Sequence, residues 1–165
     1  MGKSSLINML TGHSKLAKTS STPGKTQLIN HFLINNSWFL TDLPGFGFAK
    51  VSKKDKSKFI GMINGYLKNR ENLICTFLLV DSRHEPRKND LEFMKWLGTS
   101  QIPFAIVFTK GDKPGKTKLD ANVAFYRKKL AESWDPVPEI FVTSSESHSG
   151  RDEILKFIEK YNQPT

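Results

Sequence analysis

The sequence contains one cysteine, Cys75, so no disulfide can form within the chain. Cys75 lies in the apolar run 73–80, which predicts a buried, unreactive thiol in a reducing compartment. No stretch approaches 18 uninterrupted apolar residues, so no membrane span is expected. The four histidines show no spacing typical of metal ligands. These absences exclude disulfide-stapled, membrane-spanning and histidine-zinc proteins.

Acidic residues are in the minority. The chain carries 25 lysines and arginines against 16 aspartates and glutamates, a net charge of +9. A domain of this charge is attracted to polyanions, and RNA is the commonest of these in the cytoplasm. A solvated lysine surface explains the same composition, so charge by itself leaves both interpretations open. With 165 residues and 38% hydrophobic content, the chain is expected to be a single globular domain.

The apolar pattern alternates between helix-like and strand-like segments, with Asn35-Asn36-Ser37 as a hairpin turn. This alternation predicts an α/β fold with helices on both faces of a mostly parallel sheet. Residues 13–26 and the segment from 46 to about 54 are predicted to be loops. Helices are predicted at 6–10, 59–67, 89–97, 123–130 and 153–161, and strands at 27–34, 38–40, 73–80, 103–108 and 139–142.

Three tripeptides, 2–4, 24–26 and 115–117, carry the glycine, lysine and hydroxyl residue of a phosphate-binding loop. Such a loop needs a strand before it and a helix after it, so that backbone amides and the helix dipole face the phosphates. Only the first opens a predicted amphipathic helix; the second leads into a strand, and the third lacks the first glycine. At the first site Lys3 would reach the outer phosphates and the Ser4 hydroxyl would bind Mg²⁺.

A further motif, Asp42-Leu43-Pro44-Gly45, follows a predicted strand. Asp42 can hold Mg²⁺ through water, and the Gly45 amide can approach a terminal phosphate because no side chain intervenes. A simple turn explains this motif equally well when it is taken alone.

Two more motifs also follow strands, where ligands bind open α/β sheets. In Thr109-Lys110-Gly111-Asp112, the aspartate can specify guanine by accepting two hydrogen bonds from its base edge, while the Lys110 stem covers the base face. Backbone amides of Thr143-Ser144-Ser145 can meet the guanine oxygen. Charged turns and helix caps explain either motif alone. The order of all four motifs along the chain indicates a GTP site.

With these motifs the sequence resembles the TrmE–Era–EngA–EngB–septin-like group of GTPases, and within it the EngB (YihA/YsxC) GTP-binding proteins. The resemblance implies a Ras-like G domain of the P-loop NTPase class, with three layers and one antiparallel strand in a mostly parallel sheet. It implies that residues 1–165 form one G domain without the family's N-terminal extension, first strand and first half of the phosphate loop. The stretches that carry it are Gly2-Lys3-Ser4-Ser5-Leu6-Ile7-Asn8, Thr22-Pro23-Gly24-Lys25-Thr26-Gln27, Asp42-Leu43-Pro44-Gly45-Phe46-Gly47-Phe48-Ala49, Val80-Asp81-Ser82-Arg83 and Thr109-Lys110-Gly111-Asp112.

The resemblance also implies roles for individual residues. Gly2-Lys3-Ser4-Ser5 and the first switch, Gly24-Lys25-Thr26-Gln27-Leu28, would contact the nucleotide. Lys3, Thr26 and Gly45 would support hydrolysis, and Ser4, Thr26 and Asp42 would hold Mg²⁺. Phe46 stands where Ras-like proteins use a glutamine to orient water, which predicts slow intrinsic hydrolysis, raised by a partner or a monovalent cation.

The implied function is slow GTP hydrolysis, used as a switch in large ribosomal subunit assembly. The resemblance further implies a cytoplasmic monomer that contacts GTP, GDP and ribosomal RNA, with a family link to cell division and septation. The alternative is a nucleotide-free or RNA-binding interaction module that has lost a functional phosphate loop.

Overall fold

The computed structural model describes residues 2–16, 29–45 and 52–163. The chain divides into two compact units, Met1–Ala17 with Ile74–Thr165, and Lys18–Leu73. Three elements, β1, β2 and α2, belong to the second unit, and the others belong to the first. In chain order the elements are α1 (Lys3–Thr11), β1 (Asn30–Ile34), β2 (Trp38–Asp42), α2 (Lys53–Asn69), β3 (Thr76–Asp81), α3 (Lys88–Thr99), β4 (Phe104–Thr109), α4 (Lys116–Ala131), β5 (Ile140–Val142) and α5 (Arg151–Tyr161).

In the first unit, β3, β4 and β5 form a parallel sheet with β4 in the middle. Side chains alternate between the two faces of a strand. One face carries Val80 and Phe108, which are buried in a core shared with α3 and α4. The other face carries Phe77 and Phe141, whose ring centroids lie 5.9 and 5.3 Å from that of Phe157 in α5. This unit therefore has the predicted layers, with helices on both faces of the sheet.

Helix α1 is held at its C-terminal end by α5. Gly12 closes the helix with a left-handed φ of 70°, a conformation that glycine adopts without strain. Arg151 donates from Nε to the Met9 carbonyl at 2.8 Å and from Nη2 to the Leu10 carbonyl at 3.5 Å. These carbonyls belong to the last helical turn, where the dipole favours a cation. The opposite end of α1 carries the predicted phosphate-binding residues.

In the second unit, β1 and β2 form the predicted antiparallel hairpin. Asn35 and Asn36 both have a φ of 51°, in the left-handed region that asparagine tolerates and that tight hairpin turns require. Strand β2 runs to Asp42, two residues beyond the predicted end. The following helix begins at a cap, because the Ser52 hydroxyl accepts a hydrogen bond from the Asp55 amide at 3.2 Å.

The element order agrees with the sequence, and two further predictions, the start of β3 and the interpretation of the third tripeptide, are corrected. Strand β3 begins at Thr76 rather than at residue 73, because its pairing starts where the Thr76 amide donates to the Pro103 carbonyl at 2.9 Å. Only Leu78 and Val80 of this strand are buried, so it is not covered on both faces along its length. Gly115 caps α4, so the third lookalike tripeptide also opens a helix.

Cys75 precedes β3 and is half-buried rather than fully buried. Burial raises the pKa of its thiol to about 11. A thiol of that pKa holds little thiolate at neutral pH, which agrees with the predicted low reactivity. Among the helices that the structure describes, none combines the length and apolar character needed to cross a membrane.

Candidate functional site

The carboxyl ends of the three parallel strands gather several predicted site residues. Asp81 at the end of β3 lies beside Thr109 at the end of β4 in the strand register. Phe108 pairs with Val142, so the residues after β5 follow the same edge. This edge is where ligands bind in open α/β sheets.

The segment Thr109-Lys110-Gly111-Asp112 is held by its neighbours. The Thr109 hydroxyl donates to the Val80 carbonyl at 3.3 Å, and Thr109 is buried. The Gly111 amide donates to the Thr143 carbonyl at 2.9 Å, and a Cβ at Gly111 would lie 2.9 Å from Val142 Cγ1. Thr109 and Gly111 therefore shape the loop, while Lys110 and Asp112 present side chains from it.

Asp112 is oriented by a hydroxyl from the loop after β5. The Ser144 hydroxyl donates to Asp112 Oδ1 at 2.5 Å, and Lys113 Nζ lies 3.1 Å from Oδ2. The Ser144 hydrogen bond, and after it Lys113, holds the pKa of Asp112 below its usual value, so the group is a carboxylate at neutral pH. A carboxylate has about four acceptor positions, so two remain for a ligand with paired N–H donors.

In the turn after β5, only some of the backbone amides predicted to meet the guanine oxygen are available for a ligand. The Thr143 amide donates to the Phe108 carbonyl at 2.7 Å, and the Ser144 amide donates to the Ser149 carbonyl at 3.2 Å. Both amides are thus occupied within the protein. In the described part of the chain the Ser145 amide has no acceptor, so it is the one of the three amides that can meet a ligand oxygen.

The turn Asp81-Ser82-Arg83 lies at the same edge, although no role was predicted for it from the sequence. The Arg83 side chain forms a bidentate pair with the Asp81 carboxylate, through Nε to Oδ1 at 2.8 Å and Nη2 to Oδ2 at 2.7 Å. Lys110 Nζ donates to Asp81 Oδ2 at 3.2 Å. Arg83 first, and Lys110 in addition, holds the pKa of Asp81 far below its usual range. The sequence did hold one signal for this role: Asp81 is a charged residue at the end of a strand, and the neighbouring strand leads into a predicted motif.

The N-terminal end of α1 lies at the same edge of the sheet. A Cβ built on Gly2, the N-cap of α1, would lie 3.4 Å from the Thr109 Cβ. Gly2, Lys3, Ser4 and Ser5 are all partly exposed. The first helical amides and the positive end of the helix dipole are therefore near Thr109, the first residue of the predicted base-recognition motif. The structure thus brings the predicted phosphate and base motifs together.

The remaining predicted residues fall in the second unit or outside the described residues. Asp42 ends β2 and is only 5% exposed, and Pro44 is also buried. Leu43 and Gly45 are partly exposed. Of the residues with predicted roles, the following lie outside the described ranges: Gly24, Lys25, Thr26, Gln27, Leu28 and Phe46.

Comparison with known proteins gives a consistent family. A model described as a 50S ribosome-binding GTPase matches residues 1–110. A protein from Flavobacterium johnsoniae named probable GTP-binding protein EngB is 58% identical over 164 residues, covering 99% of this chain and 78% of the relative. A relative of the same name from Bacteroides fragilis is 53% identical over 163 residues, covering 99% of this chain and 81% of the relative.

The fold is similar to a crystal structure of a probable GTP-binding protein engB, with a TM-score of 0.75 and 23% identity over 98% of this chain and 92% of that one. It is also similar to Era in complex with MgGDPNP and nucleotides 1506–1542 of 16S ribosomal RNA. There the TM-score is 0.76 and the identity 25%, over 99% of this chain and 54% of that one. These likenesses confirm the predicted fold class, a Ras-like P-loop GTPase.

Proposed function

The chain belongs to the EngB family of GTP-binding proteins and is a GTP hydrolase, and on this basis we propose that it is a guanine-nucleotide switch in large ribosomal subunit assembly. The matching family model is described as a 50S ribosome-binding GTPase, and the net charge of +9 suits a partner rich in RNA. A ribosomal partner implies that the protein acts in the cytoplasm. We extend the proposal to a monomer that supports normal cell division and septation.

The observation that carries guanine recognition is the hydrogen bond from Ser144 to Asp112. This bond fixes the carboxylate so that its two oxygens can accept hydrogen bonds from the ring N–H and the exocyclic amine of guanine. Adenine offers no such pair of adjacent donors. The Ser145 amide would donate to the guanine oxygen, which adenine lacks. The Lys110 stem would cover the face of the base.

The phosphates and Mg²⁺ would be held by the N-terminal end of α1, by the first switch at residues 24–28, and by the motif at residues 42–45. Mg²⁺ takes oxygen ligands, and the residues proposed for it, Ser4, Thr26 and Asp42, all offer oxygen. Within the described ranges no group of three carboxylate, histidine or cysteine side chains could hold a metal ion. When bound, the ion neutralises charge that develops on the phosphate. Lys3 adds a further positive charge, and Gly45 lets the backbone approach.

Phe46 follows the Asp42–Gly45 motif, and a phenyl ring cannot orient water through a hydrogen bond. We expect Phe46→Ala to keep a single-turnover rate of GTP hydrolysis within about threefold of the parent. We also expect the parent rate to rise when K⁺ replaces Na⁺ or when ribosomal subunits are added. A variant that binds GTP normally and no longer hydrolyses it would contradict this expectation.

Helix α4 carries a basic face, defined as Lys118, Phe125 and Lys128, which we propose contacts ribosomal RNA. Residues three, four and seven apart share one side of a helix, so these side chains form one stripe. Phe125 is 44% exposed and both lysines are exposed. Neither lysine forms an ion pair with a described residue. An exposed ring between cations suits an unstacked base and its phosphates.

Charge reversal tests this face. Binding to isolated large ribosomal subunits should weaken steeply as salt rises, and Lys118→Glu with Lys128→Glu should reduce the slope of log affinity against log salt by about 2. The matched control is Lys95→Glu on α3 with Lys156→Glu on α5, which changes net charge equally at two other exposed lysines. Equal slopes in the two double variants would show that total charge, and not the α4 basic face, directs binding.

A further inference from the structure

Lys110 is held at its backbone by the turn that follows β3. Its φ of 58° places a residue other than glycine in the left-handed region, a conformation that costs about 1 kcal/mol and persists where the surroundings support it. The Ser82 hydroxyl donates to the Lys110 carbonyl at 2.9 Å. Ser82 is fully buried, and its own carbonyl accepts a hydrogen bond from Asn122 at 2.8 Å. The backbone of Lys110 is therefore anchored to a buried, hydrogen-bonded part of the first unit.

The side chain of Lys110 is held by the same turn. Its ammonium donates to the Asp81 carboxylate at 3.2 Å, and that carboxylate is fixed in turn by the bidentate Arg83 pair and by the Arg83 amide at 3.1 Å. The Asp81 and Lys110 side chains are only 17% and 30% exposed, so water screens this ion pair less than a pair on the open surface. Both ends of the lysine stem are thus fixed before any ligand arrives.

From this arrangement we infer that Asp81 is a positioning residue for guanine-nucleotide binding, which acts by holding the Lys110 stem where it covers the base. A free lysine side chain loses about 2 kcal/mol of rotamer entropy when it is immobilised, and a stem that is already held loses less on binding. Arg83 orients Asp81 and so takes part indirectly. This inference rests on the base site proposed above. It adds a positioning role for the turn after β3.

A double-mutant cycle on the full chain tests the inference. The variants are Asp81→Asn, Lys110→Met and the two combined, with Glu92→Gln on α3 as a control that also removes one carboxylate from an ion pair. We expect Asp81→Asn to raise the Kd for GDP about fivefold, and by a similar factor for GTP, because the Lys110 stem contacts the base common to both. Once Lys110 is replaced, Asp81→Asn should have no further effect. Glu92→Gln should leave both Kd values unchanged.

The rescue variant is Asp81→Glu, which keeps the charge and should recover most of the GDP affinity even if Asp81→Asn folds poorly. Additive effects in the cycle, or no recovery by Asp81→Glu, would overturn the positioning role. A loss of affinity for GTP with no loss for GDP would also overturn the positioning role, because the effect would then lie at the terminal phosphate and not at the base. A parent chain that does not prefer GDP to ADP would refute the base site itself, which separates the two failures.

Discussion

Asp112→Asn is expected to exchange the base preference of the protein from guanine to xanthine. Asparagine replaces one carboxylate oxygen with an N–H donor, and xanthine carries a carbonyl oxygen where guanine carries its exocyclic amine. The variant should lose about 100-fold in affinity for GDP and bind XDP more tightly than the parent does, because a mismatched donor pair leaves polar groups unsatisfied. Competition of GDP and XDP against one labelled nucleotide measures both changes.

The control for this exchange is Asp120→Asn, an exposed aspartate on α4 that makes the same chemical change away from the base loop. It should leave both affinities as they are. If Asp112→Asn gives GDP and XDP affinities equal to those of the parent, Asp112 does not recognise the base.

Gly150→Ala is expected to destabilise the first unit by about 3 kcal/mol or more. Gly150 is the N-cap of α5 and has a φ of 77°. An added Cβ would lie within overlap distance of the Val142 carbonyl oxygen and 2.9 Å from Thr143 Cγ2. Left-handed strain and a backbone clash act together, and neither is relieved by a side-chain rotation. Chemical denaturation monitored by tryptophan fluorescence measures the change in the free energy of unfolding.

The matched control is Gly115→Ala, at the N-cap of α4, where φ is −60° and an added Cβ meets nothing within 4 Å. It should change the free energy of unfolding by at most about 1 kcal/mol. The turn that Gly150 supports also carries Ser144, so Gly150→Ala should weaken GDP binding as well. Equal stability of the two alanine variants would contradict the close backbone approach at Gly150.

The sequence predicted the features that depend on local chemistry. The periodicity of apolar residues in helices and strands depends on residues close together in the sequence, and it predicted the order of the elements correctly. The hairpin followed from Asn35 and Asn36, since asparagine tolerates a positive φ. The order of the phosphate and base motifs along the chain was equally visible, because each motif is short and contiguous.

What the sequence did not predict depends on which strands become neighbours. The bond from Ser144 to Asp112 joins two loops that follow different strands, and the pair between Asp81 and Lys110 joins the end of β3 to the loop after β4. The cap that Arg151 places on α1 joins residues 141 and 142 positions apart. No local pattern specifies such contacts, because they arise only when elements far apart in the chain become neighbours in the fold. For the same reason, hydrogen bonding and not apolar content sets the first residue of β3.

The central claim is that the chain recognises the guanine base through the loops after β4 and β5. Its most direct test is calorimetric titration of the full chain with GDP and with ADP, each in the presence of Mg²⁺. We predict that GDP binds at least about 100-fold more tightly than ADP, because Asp112 and the Ser145 amide match polar groups that adenine does not present. Equal binding of the two nucleotides would contradict guanine recognition, and binding of neither would favour a nucleotide-free interaction module.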